Sequence, residues 1–253
     1  MRKLLNWKIL FILLSASLLS VICIFPYIIT LQGELLRKAG VSVQTLFIAQ
    51  FIQCLILFSV LIFFGLVLTQ KNQFHLPVLE AFVNKKKVKP VVSSFLSKSI
   101  ILGIVTAIAI YSLDGLFTLL GTQINTHHNA APVWQTLLAA FYGGITEEIV
   151  MRLFLMSLLV WLSTKVMRRK EPAVSGIIVA IMIAAIVFGL GHLPITATLT
   201  KIDALVVARA IVLNGIGGIV FGWLFWKKGL EAAMLAHFTT DIFLLTLLPL
   251  VLR

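Results

Sequence analysis

Residues 174–191 read VSGIIVAIMIAAIVFGLG, a stretch without a charged side chain. A helix of about 20 apolar residues crosses the roughly 30 Å hydrocarbon core of a bilayer. Similar or longer apolar runs lie on both sides of this one, at 7–30, 46–69, 99–121, 134–164, 205–226 and 230–250. The sequence therefore predicts seven membrane-spanning helices, or eight if the long fourth run is broken.

The composition favours the same fold class. Hydrophobic residues make up 60% of the 253 positions and charged residues only 12%, about half the charged fraction of a soluble domain. Backbone polar groups in a bilayer must be satisfied within the protein, and these continuous runs lack the alternation of barrel strands. We expect an all-α, polytopic transmembrane helical bundle of seven to eight spans, with the lipid bilayer as its main partner.

Basic residues cluster beside the ends of the apolar runs, and they account for the formal charge of +12. With the amino terminus inside, fifteen of the 21 lysines and arginines lie on the cytoplasmic side, as the positive-inside rule requires. We expect segments 70–98 and 165–171 inside and segment 122–133 outside. The charge is thus explained by membrane anchoring, and we expect no nucleic-acid partner.

The unusual polar residues all lie after residue 140, and no connection between runs is apolar enough to form a soluble core. We therefore expect accessory spans in residues 1–125 and a catalytic core in residues 126–253. The first apolar run is longer than that of a typical signal peptide, and we interpret it as a retained span.

The fourth run contains the stretch Glu147-Glu148-Ile149-Val150-Met151-Arg152. An ionisable side chain deep in a span costs at least about 2.5 to 3.5 kcal/mol and usually marks function. In an α-helix Glu148 and Arg152 are one turn apart and can form an ion pair, whereas Glu147 is rotated by about 100°. We expect Glu148 and Arg152 to support the structure and Glu147 to be available for chemistry. A purely structural network of all three is the alternative.

Two histidines stand in later runs. His192 follows Phe188 by four residues at the end of the fifth run, and His237 precedes Asp241 by four residues in the seventh. A buried glutamate with imidazoles from other helices can activate water as a general base and stabilise an oxyanion. The implied reaction is amide hydrolysis inside the membrane, although either histidine alone would more often be structural.

Other catalytic signatures do not occur in the sequence. It has no HExxH or GxSxG motif, and neither Cys23 nor Cys54 stands near a histidine motif. Asp114, Arg209 and the pair at 127–128 have no partner at helical spacing, and we expect structural or solvated roles for them. Serine and thiol mechanisms are therefore not expected.

In these residues the sequence resembles the CPBP family of intramembrane proteases, which includes type II CAAX prenyl endopeptidases and bacterial Abi proteins of bacteriocin processing and self-immunity. The resemblance covers about residues 134–245. It rests on three motifs in order: Glu147, Glu148 and Arg152; Phe188 and His192; and His237 and Asp241. It implies that Glu147 and His192 activate water and that His237 and Asp241 bind the oxyanion or substrate. From this resemblance we also expect the protein to lie in a bacterial cell membrane.

The resemblance leaves metal dependence open, because family members have been described both as metalloproteases and as metal-independent glutamate proteases. Asp241 also stands where the prenyl endopeptidases usually have asparagine. Catalytic zinc usually takes three protein ligands, and any metal here is expected on Glu147, His192 and His237. We expect that no metal is essential, with Zn²⁺ as the alternative.

The leading hypothesis is an endopeptidase that acts on a peptide or a lipidated, CAAX-like protein substrate at the membrane. One alternative is a non-catalytic bacteriocin self-immunity or scaffold protein, and another is a transporter or proton relay that uses the buried acids. The complete set of motif residues favours the enzyme. The lack of evident repeats or paired, proline-broken helices argues against a transporter.

Overall fold

The computed structural model describes residues 5–122 and 131–251, and in these ranges the chain forms helices and no strands. The helices are α1 (Trp7–Lys38), α2 (Val43–Lys71), α3 (Pro77–Val83), α4 (Val88–Ser93), α5 (Leu96–Leu119), α6 (Val133–Val166), α7 (Val174–Thr196), α8 (Ala204–Lys228) and α9 (Leu230–Val251). All except α3 and α4 are long and apolar enough to span a membrane. The all-α, polytopic fold is confirmed with seven spans, because the long fourth run forms one continuous helix.

Two sequence interpretations fall outside the described residues. The histidine pair at 127–128 lies there, and so does most of the segment 122–133 that we expect outside the membrane.

The helices begin and end at residues suited to those positions. The side chains of Asn6, Ser42 and Asp203 accept backbone N–H bonds from the first turns of α1, α2 and α8. Gly229 separates α8 from α9 with φ of 96°, a conformation that glycine adopts without strain. This single-residue link fixes the start of the helix that carries His237.

The surface of the bundle is apolar, and its interior contains many small and polar residues. Leu19, Ile56 and Ile101 are each more than half exposed, whereas Ser20 and Thr240 are buried. A water-exposed surface of this kind would promote aggregation, but in a bilayer it contacts acyl chains. Small and hydroxyl side chains inside allow close helix packing and interhelical hydrogen bonds. The chain is an integral membrane protein.

Helix α1 packs along α6 through two side-chain hydrogen bonds. Ser20 and Thr146 share a hydrogen bond at one level, and the hydroxyl of Thr30 donates to Gln135 Oε1 at 2.7 Å at another. The first span is therefore in direct contact with the helix that carries both adjacent acids. The division into accessory and catalytic parts near residue 125 stays a prediction.

Helices α5 and α8 are joined by an ion pair within the apolar region. Arg209 Nε donates to Asp114 Oδ1 at 2.6 Å. The structural role expected for these two residues thus takes the form of a pair with each other. Sequence spacing did not reveal it, because the partners are separated by 95 positions.

Candidate active site

The two adjacent acids lie where α6 widens from an α-helix. The segments Tyr142–Glu147 and Ile149–Met156 are π-helical, with Glu148 between them. The regular α-helical geometry assumed from the sequence therefore does not hold here. Local π-helical turns occur frequently at functional sites. Glu148 and Arg152 remain neighbours despite the change.

Glu148 and Arg152 form the ion pair that the sequence predicts. Arg152 Nη1 lies 2.8 Å from Glu148 Oε1, and both side chains are almost fully buried. The N–H bonds of Nη1 are not aligned for a hydrogen bond, so the contact is chiefly electrostatic. The guanidinium also lies over the rings of Phe188 and Phe221, at 5.2 and 5.4 Å from their centroids. These aromatic faces offset part of its desolvation by cation–π attraction.

His237 is held by the same carboxylate. Its Nδ1 lies 2.8 Å from Glu148 Oε1, and its ring stacks on Phe221 with centroids 4.6 Å apart. With Glu148 ion-paired to Arg152, the carboxylate accepts this hydrogen bond and Nδ1–H donates it. In the neutral ring Nε2 then carries the lone pair, and in the protonated ring it is a second donor. Because Glu148 binds Nδ1, it is Nε2 of His237 that faces the rest of the site.

The Nε2 atom of His237 faces the two remaining acids. It lies 3.7 Å from Glu147 Oε2 and 3.7 Å from Asp241 Oδ1. The side chains of Glu147 and Asp241 are 25% and 19% exposed, whereas Glu148 is 0% exposed. The accessible part of the site thus consists of two carboxylates that flank one imidazole nitrogen.

Gly143 contributes to the site by lacking a side chain, and the sequence analysis missed it. A Cβ atom at this position would collide with Asp241 Oδ2 and come within 3.2 Å of His237 Nε2. At the next residue, Gly144, a Cβ would come within 2.8 Å of Phe238 Cβ. The adjacent glycines let α6 and α9 approach closely enough to bring Glu147 beside Asp241. The sequence does contain an indication of this close packing, because a pair of small residues stands one turn before the acids.

His192 lies at the break in α7, between Gly191 and the short final turn Leu193–Thr196. Its Nδ1 donates to the carbonyl oxygen of Phe188 at 2.8 Å, which leaves Nε2 with the lone pair in the neutral ring. The Phe188 ring contacts both imidazoles edge-on, with centroids 4.8 Å from His192 and 5.7 Å from His237. The three rings therefore form one aromatic cluster.

In the structure, no hydrogen bond or ion pair joins His192 to Glu147. Within the described residues, the ring nitrogens of His192 form no ion pair with a carboxylate. Its link to the acids runs through Phe188 and His237. The shared role of Glu147 and His192 in activating water stays a prediction.

The arrangement of possible metal ligands differs from the set expected from the sequence. In residues 5–122 and 131–251, no three histidine, cysteine, aspartate or glutamate side chains are placed to hold a metal together. The set of Glu147, His192 and His237 is therefore not assembled as a metal site. The donor geometry gives no basis for a mechanistic step through a metal.

These features define a polytopic membrane protein with a buried carboxylate and imidazole site, and the comparison with protein families agrees. Residues 129–243 match the family described as Rce1-like, type II CAAX prenyl endopeptidase, a range that contains every motif residue from Glu147 to Asp241. This part of the chain is similar to that family of CAAX-type endopeptidases, in keeping with the resemblance. The comparisons with curated proteins and with solved structures give no match.

Proposed function

We propose that this protein is an intramembrane endopeptidase that hydrolyses a peptide bond in a peptide or lipidated, CAAX-like protein substrate. The observation that carries the proposal is the position of His237. Its Nδ1 is fixed by buried Glu148, and its Nε2 lies 3.7 Å from carboxylate oxygens of Glu147 and Asp241. An oriented imidazole between two partly accessible acids suits proton transfer and charge stabilisation.

Glu147 is the general base in this proposal. It takes a proton from a water molecule while the water oxygen forms a bond to the carbonyl carbon of the substrate. His192 assists through the lone pair on Nε2, because its Nδ1 is already committed to the Phe188 carbonyl. Neither residue forms an ion pair with Arg152, whose carboxylate partner is Glu148.

The tetrahedral intermediate carries a negative oxygen, which His237 stabilises in its protonated form through Nε2–H. The neighbouring carboxylates of Glu148 and Asp241 favour that form, since an opposite charge stabilises an imidazolium. Asp241 thus acts through His237 by supplying an opposite charge 3.7 Å from Nε2, and its free oxygen can accept a hydrogen bond from a substrate amide. Collapse of the intermediate breaks the C–N bond, and Glu147 gives its proton to the leaving amine.

The site also suits a substrate that approaches from within or beside the bilayer. Its residues lie on α6, α7 and α9, all of which are membrane-spanning helices. Glu147, Asp241 and His192 are the partly exposed members, and a bound peptide would meet them first. Low local polarity strengthens the interaction between His237 and a developing oxyanion.

The function can be tested in cells before a substrate is known. Membrane peptides from cells with the intact protein are compared by mass spectrometry with those from cells that carry Glu147→Gln. Glu34→Gln, a change of an exposed acid in α1, is the control. We expect at least one cleavage product that requires Glu147 but not Glu34. Identical peptide profiles in all three, with equal protein levels, would favour the scaffold or immunity alternative.

A further inference from the structure

A groove of about 660 Å³ lies between α5 and α8 on the outside of the bundle. Its lining is apolar except at one end, and it consists of Ser97, Lys98, Ile101 and Leu102 from α5 and Ile219, Val220 and Trp223 from α8. None of these residues belongs to the candidate active site. The groove is therefore a separate feature of the molecule.

The position of the groove across the membrane follows from the antiparallel packing of α5 and α8. Asp114 pairs with Arg209 towards one end of the two helices, and the Lys98 ammonium lies 5.8 Å above the Trp223 ring towards the other. Lys227 and Lys228 end α8 at this second end. The concentration of positive charge assigns it to the cytoplasmic interface.

The lining residues continue from this interface into the hydrocarbon. The α5 part of the groove runs from Ser97 to Leu102, about 7.5 Å along the helix axis and so about half of one leaflet's hydrocarbon thickness. A molecule that fills the groove thus needs an apolar chain in the hydrocarbon and a polar group at Lys98. A phospholipid of the inner leaflet has this shape.

The residues at the polar end of the groove favour a phospholipid with a negatively charged headgroup. Lys98 supplies an ammonium group and Ser97 a hydroxyl, both exposed at the rim, and no acid is among the lining residues. Anionic lipids are attracted to cations at the cytoplasmic surface. We propose that the groove binds one anionic phospholipid, with its phosphate at Lys98 and an acyl chain along Ile101 and Ile219. This site goes beyond the proposed protease function and does not depend on it.

Native mass spectrometry of the purified full chain tests the proposal, with phosphatidylglycerol and phosphatidylcholine as probes. We expect the wild type to retain phosphatidylglycerol in preference, and Lys98→Ala to retain about fivefold less, since one lysine near an anionic surface contributes about that factor. Lys165→Ala is the matched control. Lys165 is also exposed and lies over a tryptophan ring, Trp161, at 6.0 Å, but it lines no part of the groove.

A second variant tests the acyl chain. Ile219→Trp fills the groove while Lys98 stays in place, and it should also lose the lipid, whereas Ile178→Trp on the lipid-facing side of α7 should not. Thermal unfolding in detergent checks that each variant is folded. Equal loss in the Lys98 and Lys165 variants, full retention by Ile219→Trp, or equal binding of the two lipids by the wild type would each overturn the proposal.

Discussion

Glu148 and His237 are joined across α6 and α9, with Oε1 of the glutamate 2.8 Å from Nδ1 of the histidine. The same oxygen lies 2.8 Å from Arg152 Nη1. The acid expected to have only a structural role therefore also orients the imidazole of the candidate active site. Loss of Glu148 should affect both the stability of the fold and the chemistry.

Glu148→Gln should destabilise the protein more than Glu147→Gln. It leaves the buried Arg152 without a counter-charge, which typically costs about 3 to 5 kcal/mol, whereas Glu147 is partly exposed and is not the ion-pair partner of Arg152. Thermal unfolding of the two purified variants in the same detergent measures the difference. A lower unfolding temperature for the Glu147 variant would contradict the assignment.

Gly143→Ala should impair activity although it adds only a methyl group. The new Cβ collides with Asp241 Oδ2, so the Asp241 carboxylate must turn away and leaves its position 3.7 Å from His237 Nε2. A displacement of about 1 Å can cost about 100-fold in rate. The Gly115→Ala variant is the control, because a Cβ at Gly115 in α5 meets open space. Its cleavage rate should equal that of the wild type. Equal rates for the two variants would show that the contact at Gly143 is unimportant.

Activity should survive exhaustive chelation. Catalytic zinc usually takes three protein ligands, and the described part of the chain assembles no such set. Metal content and cleavage rate are measured on one sample before and after treatment. Activity that is lost on chelation and restored by stoichiometric zinc would identify a metalloprotease.

The topology predicted from the basic residues can be tested by cysteine labelling in intact cells. After replacement of Cys23 and Cys54, a cysteine at exposed Asn84 should react only from the cytoplasmic side. A cysteine at exposed Lys201, between α7 and α8, should react from the outside. Labelling of both positions from the same side would contradict the orientation.

The histidine and aspartate variants separate roles within the site. His192→Ala should abolish cleavage, whereas His237→Ala should reduce it by about 100- to 1000-fold, the usual cost of one oxyanion donor. Asp241→Ala should also impair cleavage severely, because it removes a carboxylate that lies 3.7 Å from His237 Nε2. All three are expected to remain folded, which circular dichroism can check. Wild-type turnover in His192→Ala would contradict a role for this residue and would restrict water activation to Glu147.

The spans and the Glu148–Arg152 pair could be predicted from the sequence because both depend on local order. A span is a continuous apolar run, and residues four apart share a helix face. The contacts of Glu148 with His237 and of Asp114 with Arg209 join positions 89 and 95 residues apart. Such pairs depend on how the helices pack, which hydropathy and spacing do not determine.

The family motifs indicate four candidate side chains, and the structure brings only three of them together. They indicated Glu147, His237 and Asp241, which the structure brings together, and His192, which it places beside Phe188 instead of Glu147. Gly143 has no reactive side chain, so the motifs of acids and histidines do not include it. Its importance follows from the close approach of α6 and α9.

The central claim is that Glu147 activates water for hydrolysis of a peptide bond in the membrane. The most direct test is cleavage of an internally quenched, prenylated CAAX peptide by the purified protein in lipid vesicles, with the products sequenced by mass spectrometry. We predict cleavage at one peptide bond by the wild type and by Glu34→Gln, and none by Glu147→Gln at the same protein level. Cleavage by the Glu147 variant at the wild-type rate would contradict the account.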